Sequence, residues 1–337
     1  QRLESLEMYP FKVLINQGVQ SVMIGHLVVP ALDSMQNRPA SLSKPIITSW
    51  LKEKLGFEGL VITDALDMKG VTKNFQKGEI EVLALKAGVD VLLLSEDVPV
   101  SIAAIKKALK DGKLTAERID ESVRKILEAK YRFGLTGSVN ISTANLASDL
   151  VTGEARALNQ KIIEQAITMV KNADGLVPIG NIEKKISTLA IGASTKTPFQ
   201  QQVDAYCKAS HFFFNKETSS SLSEKLSGMD LVIVGITGMN NSLKDNFRIS
   251  KDAVALVNQL SKKTKVIVVV FGNPYGLSNF VSPSTVICAY NDDALSQSLG
   301  IQAVFGGLPI NCKLPVTALP YPFESGLQVS EATRISF

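Results

Sequence analysis

The first part of the chain alternates short apolar runs with apolar residues at helical spacing. The runs predict strands at residues 21–24, 60–62 and 89–94. The helical spacing predicts helices over residues 3–15, 45–55, 79–87, 100–109 and 116–133. Glycines at Gly18 and Gly88 follow two of these helices, as is common at helix ends. Because strands and helices alternate, the pattern predicts a parallel sheet in an α/β fold.

A second α/β region follows a stretch without clear periodicity. Residues 134–150 are rich in Gly, Ser, Thr and Asn, which is typical of a connection between domains. Beyond it the pattern predicts a helix over residues 154–170 and strands near 186–191, 231–235, 266–270 and 286–289. The predicted organisation is a first domain over 1–135, a linker over 136–152 and a second domain over 153–337.

The composition argues against several classes of partner and site. The net charge of the 337 residues is +4, and Lys and Arg are interleaved with Asp and Glu, so no basic stripe predicts a nucleic-acid partner. No apolar run reaches the roughly 18 to 20 residues needed to span a bilayer, and residues 1–7 lack the pattern of a signal peptide. The cysteines, Cys207, Cys288 and Cys312, are widely spaced without CxxC pairs, which argues against a zinc site and a disulfide framework.

An aspartate follows the second predicted strand directly. Residues 60–62 form an apolar run with β-branched members, and Thr63 and Asp64 come after it. The carboxyl ends of parallel strands form the functional edge of an α/β sheet, so this position favours a chemical role for Asp64. The alternative is that Asp64 caps the next helix, because Asp is a favoured N-cap residue. Asp67 could face the same edge, although a capping or solvated role is its simpler explanation.

The sequence around Asp64 resembles part of glycoside hydrolase family 3. Residues 56–64 read Gly-Phe-Glu-Gly-Leu-Val-Ile-Thr-Asp, similar to the family's nucleophile strand with its terminal Thr-Asp or Ser-Asp pair. Residues 21–26 read Ser-Val-Met-Ile-Gly-His, and residues 39–43 read Pro-Ala-Ser-Leu-Ser. Both segments resemble the preceding strand and loop of the family's β-N-acetylglucosaminidase branch. Family β-glucosidases usually carry Trp after the nucleophile, whereas Ala-Leu-Asp-Met occupies residues 65–68, which favours the N-acetylglucosaminidase branch.

This resemblance implies a specific fold class. Residues 1–135 would be the last three βα units of a TIM barrel, a (β/α)8 fold that typically takes about 250 residues. The earlier units would lie upstream of this chain. Residues 153–337 would be the family's C-terminal α/β sandwich domain, since residues 304–309 and 313–316 are similar to its last strand region. The predicted fold is therefore α/β, a partial barrel followed by a sandwich domain.

The resemblance also implies site residues. Asp64 would be the nucleophile of a retaining glycosidase, a role that suits a short, ionised carboxylate held by a strand. The acid/base of this branch is a His supported by an Asp, on a loop that would lie upstream. His26 would line the pocket, as a hydrogen-bonding partner of the substrate or as an orienter of Asp64, and Met68 would contact the substrate. The alternative for His26 is a core histidine satisfied by backbone groups, and His211 is predicted to be structural.

The implied activity is that of a retaining exo-β-N-acetylglucosaminidase. It would remove terminal GlcNAc from peptidoglycan fragments or related glycans, with a small carbohydrate as substrate and the upstream half of the barrel as partner. No cofactor or metal is implied, and a bacterial protein of the cell envelope or a secreted one is the family-level expectation. Without the upstream half, we expect no hydrolysis.

Other functions remain open. The chain could be a β-glucosidase-like family member, or a non-catalytic carbohydrate-binding or interaction module that keeps a decayed half of the barrel. A nucleotide-dependent enzyme is disfavoured, because residues 235–238 and 272–276 lack the glycine spacing of phosphate-binding loops.

Overall fold

The computed structural model describes most of the chain, namely residues 2–137 and 142–329. Residues 138–141 of the predicted linker and residues 330–337 of the predicted second domain lie outside the described residues. The chain forms two compact units, and the boundary between them falls between Ser142 and Thr143. Helices and strands occur in both units, so the predicted α/β fold class is confirmed.

The first unit is built on two parallel strands, β1 (Ser21–Ile24) and β2 (Leu60–Thr63). Its helices are α1 (Tyr9–Asn16), α2 (Pro45–Lys54), α3 (Lys69–Thr72), α4 (Glu79–Ala87), α5 (Val98–Lys110) and α6 (Ala116–Arg132). A single helical turn, Leu3–Glu7, precedes α1. The core joins apolar side chains of the strands and helices, among them Val22, Ile47, Val61, Ala84 and Val89.

The prediction of a third strand over residues 89–94 is wrong in its extent. Only Val91 forms a β-bridge, to Ile62 of β2. The segment still follows β2, because the Thr63 N–H donates to the Val91 carbonyl at 3.1 Å and the Leu93 N–H donates to the Thr63 hydroxyl at 2.9 Å. Leu93 is 39% exposed, and no strand of the described residues pairs with the other side of this segment. An apolar run becomes a buried parallel strand only where neighbours cover both sides.

The second unit is a six-stranded mixed sheet in the order β3-β8-β7-β6-β4-β5. The strands are β3 (Thr168–Asn172), β4 (Ile186–Ile191), β5 (Ser210–Phe213), β6 (Leu231–Ile236), β7 (Lys265–Val270) and β8 (Thr285–Cys288). β3 runs antiparallel to β8, and the other neighbours are parallel.

Helices pack on both faces of this sheet. The helices of the second unit are α7 (Leu146–Leu150), which has no buried residue, α8 (Gly153–Ala166), α9 (Pro198–Asp204), α10 (Ser219–Ser227), α11 (Lys251–Leu260) and α12 (Ala294–Val304). Apolar residues of α8, α9 and α12 join the core on one face, and those of α10 and α11 join the core on the other. Successive strand residues alternate between the two cores, which explains the continuous apolar runs.

The prediction of a helix over residues 154–170 is wrong at its end. α8 ends at Ala166, and β3 begins at Thr168. β3 pairs with β8, whose residues lie more than a hundred positions further along the chain, so local periodicity does not reveal the strand. The pattern also fails to predict β5, a four-residue strand at the sheet edge, because so short a run carries little periodicity.

Candidate active site

Asp64 lies at the carboxyl end of β2, directly after the buried Thr63. Its backbone N–H donates to the Ile24 carbonyl at 3.0 Å, which continues the pairing of β1 with β2 by one residue. The Asp64 Oδ1 accepts the Ala65 N–H at 2.8 Å. The Asp64 Oδ2 has no hydrogen-bond partner among the described residues. One carboxylate oxygen is therefore held by the chain, and the other is available to a ligand.

The helix that follows Asp64 does not use it as a cap. α3 begins at Lys69, and its N-cap residue is Met68, whose side chain makes no capping hydrogen bond. Asp67 is exposed and is not the cap either. The capping explanation of Asp64 from the sequence is therefore wrong.

His26 lies two residues beyond β1, at the same carboxyl end of the two parallel strands as Asp64. Its Nε2 is 2.9 Å from the Ala65 carbonyl oxygen, and its Nδ1 is 2.7 Å from the Ser41 hydroxyl. A carbonyl oxygen only accepts hydrogen bonds, so Nε2 carries the proton and donates it to Ala65. In the neutral ring, Nδ1 then accepts the hydrogen of the Ser41 hydroxyl. Both ring nitrogens of His26 are thus engaged within the protein.

The backbone of Ala65 links the three residues named from the sequence. Its N–H donates to the Asp64 carboxylate, and its carbonyl accepts from His26 at 2.9 Å and from the Met68 N–H at 3.2 Å. Met68 is 45% exposed, so its side chain is accessible to a ligand. Asp64, His26 and Met68 are consequently brought together around the backbone of Ala65.

The loop between β1 and α2 carries Ser41 and is fixed by a buried carboxylate. Asp33 accepts two hydrogen bonds from Arg38, each 2.7 Å long, and one from the Ser43 hydroxyl at 2.5 Å. It also accepts the Met35 N–H at 3.0 Å. The Arg38 guanidinium holds the pKa of the Asp33 carboxyl well below its usual range. This cluster anchors the loop that places Ser41 against His26.

The sequence did not identify Ser41, Asp33 or Arg38 as functional residues. Ser41 lies in the segment 39–43, which resembles a loop of the β-N-acetylglucosaminidase branch. It is fully buried, and a buried hydroxyl needs a hydrogen-bond partner. An Asp and an Arg five positions apart in a loop carry no specific signal in a single sequence. Their pairing becomes visible only when the loop folds back on itself.

His211 lies in the second unit, on β5. Its Nδ1 is 2.8 Å from the Thr188 hydroxyl, and its Nε2 is 3.0 Å from the Asp204 carboxylate. These bonds tie β5 to β4 and α9, in keeping with a structural role.

The described residues contain no group of three or more His, Cys, Asp or Glu side chains that could hold a metal ion. The cysteines are free thiols. Among the helices of the described ranges, none is both long and apolar enough to cross a membrane.

Comparison with known proteins relates the chain to one enzyme family. Residues 1–129 match the model of the glycosyl hydrolase family 3 N terminal domain. A β-N-acetylglucosaminidase/β-glucosidase of Cellulomonas fimi is 24% identical in an alignment 335 positions long, which covers 91% of this chain. The solved structure of a family 3 β-N-acetylglucosaminidase from Paenibacillus sp. str. FPU-7 is 25% identical, with a TM-score of 0.72 over 94% of this chain. The chain is therefore similar in sequence and fold to members of glycoside hydrolase family 3, and the match to the family's N-terminal domain extends over residues 1–129.

The family 3 relatives are longer than this chain. The match covers 59% of the Cellulomonas protein and 62% of the Paenibacillus chain. A β-hexosaminidase A of Pseudoalteromonas piscicida is 27% identical in an alignment 232 positions long, which covers 62% of this chain and 38% of that protein. The chain therefore spans less than two thirds of the length of these relatives.

Proposed function

We propose that this chain is the nucleophile-bearing portion of a retaining exo-β-N-acetylglucosaminidase. The observation that carries the proposal is the Asp64 carboxylate, which ends β2 with one oxygen fixed by the Ala65 N–H at 2.8 Å. The second oxygen has no partner among the described residues. Fixing one oxygen orients the other, and such preorganisation lowers the barrier of a displacement at the sugar.

Asp64 would attack the anomeric carbon and form a covalent glycosyl-enzyme, while the bond to the leaving oxygen breaks. An acid from the upstream segment would protonate that leaving oxygen. The same group, now a base, would then take a proton from water, which attacks the anomeric carbon and releases Asp64. Neither His26 nor His211 is free for this acid/base role, because each donates or accepts through both ring nitrogens.

His26 would act as the orienter of Asp64. Its Nε2–H donates to the Ala65 carbonyl, and the N–H of the same residue donates to the Asp64 carboxylate. Because both ring nitrogens are engaged, a direct hydrogen bond to the sugar would require one of them to leave its present partner. Met68 has an exposed side chain, and its N–H donates to the Ala65 carbonyl. It would supply apolar contact to the substrate.

The upstream half of the barrel would cover the open side of β1. Among the described residues, β1 pairs only with β2, and an uncovered strand edge is a site for pairing with another segment. Met23 and Leu27 beside this edge are 57% and 72% exposed. Both residues line an apolar groove that also includes Phe11, Val22, Val29 and Leu32. On this proposal, residues 1–135 are the last three βα units of a TIM barrel and residues 153–337 are the sandwich domain.

The substrate would be a terminal GlcNAc residue of peptidoglycan fragments or related glycans. Support comes from the residues after Asp64, which are similar to the N-acetylglucosaminidase branch, and from the names of two of the relatives. The Cellulomonas relative carries both a β-N-acetylglucosaminidase and a β-glucosidase name. A β-glucosidase activity is therefore the second candidate.

Release of nitrophenol tests the proposal. The chain, supplemented with the preceding segment of its gene product, is assayed with nitrophenyl N-acetyl-β-glucosaminide and nitrophenyl β-glucoside. Turnover of the acetylated sugar alone supports the proposal, and equal turnover of both supports the second candidate. No turnover of either, in a sample in which the two segments form a complex, would favour a carbohydrate-binding or interaction module.

A further inference from the structure

The first unit contains a concave site lined by cations, which we call the basic pocket. Its volume is about 390 Å³. The cationic side chains that line it are Arg38, Lys44, Lys86, Lys113 and Arg118. No Asp or Glu is among its lining residues, and Asp64 does not line it. A concave surface with one sign of charge focuses the electrostatic potential and attracts counter-ions.

The two arginines of the basic pocket are fixed by ion pairs with buried aspartates. The Arg38 guanidinium binds Asp33, whose side chain is 3% exposed, and Arg118 binds Asp90, whose side chain is fully buried. Arg118 also donates to the carbonyls of Leu85 and Val89, at 3.2 and 2.6 Å. Each arginine is therefore a fixed part of the pocket lining, and its charge is balanced by a carboxylate.

The lysines of the basic pocket supply the uncompensated charge. Lys44, Lys86 and Lys113 are exposed, and none forms an ion pair or side-chain hydrogen bond with a described residue. Arg38 adds hydrogen-bond donors, because only its Nε and Nη2 are used by Asp33. Thr115, the N-cap of α6, also lines the pocket, so the positive end of that helix dipole points toward it.

The floor of the basic pocket is apolar. Leu42 and Leu114 are 2% and 4% exposed, and Leu83 lies beside them. Cations above an apolar floor suit a ligand with an anionic head and a carbon skeleton. A dianion matches several nearby cations better than a single carboxylate does. The concave shape suits a small molecule rather than a nucleic-acid strand or a membrane surface, which would need an extended basic face.

We propose that the basic pocket binds a phosphate monoester of a small organic molecule. The phosphate would lie against Arg38 and the three lysines, and the carbon skeleton would lie over Leu42, Leu83 and Leu114. The proposal does not depend on the glycosidase activity.

Isothermal titration calorimetry in a phosphate-free buffer tests it, with glucose 6-phosphate, inorganic phosphate, glucose and acetate as probes. We expect saturable one-to-one binding of glucose 6-phosphate, weaker binding of inorganic phosphate and no binding of glucose or acetate. Affinity should fall as sodium chloride is raised. In the double variant Lys86→Gln/Lys113→Gln, affinity should fall by about tenfold or more, which corresponds to about 1.4 kcal/mol.

The matched control is Lys106→Gln/Lys107→Gln, which removes the same charge from the exposed side of α5, outside the pocket. Its affinity should stay within about twofold of the unchanged protein, since distant surface charges are screened. An equal loss of affinity in both double variants would overturn the proposal. So would the absence of saturable binding of glucose 6-phosphate at about 10 mM, a concentration that detects millimolar affinity. Inorganic phosphate binding as tightly as glucose 6-phosphate would overturn the role of the apolar floor.

Discussion

At the residue scale, the site depends on the backbone of one residue, Ala65, between two side chains. The Ala65 N–H fixes one oxygen of Asp64, and the Ala65 carbonyl is held by His26. The Ala65 carbonyl fixes the tautomer of His26 because it can only accept, and the Ser41 hydroxyl binds the other ring nitrogen. The chemistry proposed for Asp64 therefore rests on residues from the loop after β1 and from the end of β2.

Replacing Asp64→Asn should abolish turnover in the complete enzyme. The amide keeps the volume of the side chain but removes the nucleophilic charge, so we expect kcat to fall by about a thousandfold or more. The midpoint of thermal unfolding should remain close to that of the unchanged enzyme. The matched control is Asp67→Asn at the exposed neighbour, which should keep full activity. Activity at a tenth or more of the original rate in Asp64→Asn would place the nucleophile elsewhere.

Replacing His26→Ala should slow turnover while leaving substrate binding nearly intact. Loss of the hydrogen bond to the Ala65 carbonyl loosens the backbone of the residue whose N–H orients Asp64, so we expect kcat to fall by about 10- to 100-fold and KM to change by less than about threefold. His26→Gln retains an N–H donor and should recover part of the loss. Steady-state kinetics of both variants provide the measurement. A raised KM with unchanged kcat would instead assign His26 to substrate binding.

At the element scale, the loop from β1 to α2 is held by Asp33 and its partners. Asp33→Asn keeps the shape but weakens the bonds to Arg38 and Ser43, so we expect the free energy of unfolding of the first unit to fall by about 2 to 4 kcal/mol. Urea denaturation at neutral pH measures this change. The control Asp120→Asn, on the exposed side of α6, should change that free energy by less than about 0.5 kcal/mol.

The pairing of Asp33 with Arg38 also predicts how the free energy of unfolding changes with pH. The hydrogen bonds from Arg38 lower the pKa of Asp33 in the folded state, so its stabilising contribution is present above the unfolded pKa of about 3.9. That contribution is lost as the pH falls from this value toward the lower folded pKa. The difference in unfolding free energy between the unchanged chain and Asp33→Asn should be constant near neutrality and shrink below about pH 4. A difference that grows on acidification would contradict the assignment.

At the scale of the whole molecule, the first unit exposes a strand edge and an apolar groove. We expect the preceding segment of the gene product to bind there and to raise the midpoint of thermal unfolding, because a partner that binds only the folded state stabilises it. Gel filtration and thermal unfolding of the mixed segments provide the measurement.

Charge at the edge of β1 should weaken this association. Met23→Glu/Leu27→Glu places two carboxylates on the exposed edge, and we expect the affinity for the preceding segment to fall by about 100-fold or more. The control Ile102→Glu alters an exposed apolar residue of α5 and should leave the affinity within about twofold. Equal affinity of all variants would show that the segment binds at another surface.

The sequence by itself determined the α/β class, the boundaries of β1 and α4 and the start of β2, because their apolar runs and the glycine after α4 are local signals. It also singled out Asp64, since a polar residue ending a buried strand needs only neighbouring positions to be recognised.

Only the tertiary structure decided which residues support that aspartate. His26, Ser41 and Ala65 meet through contacts between distant positions, and the hydrogen bonds that fix Asp33 require the loop to fold back. The same reason explains the elements that were mispredicted. β3 exists because β8 pairs with it, and residues 89–94 are not a full strand because the described residues cover only one of their sides. The periodicity of a segment does not show which distant segment pairs with it, so strands that depend on such pairing are not predicted from the sequence.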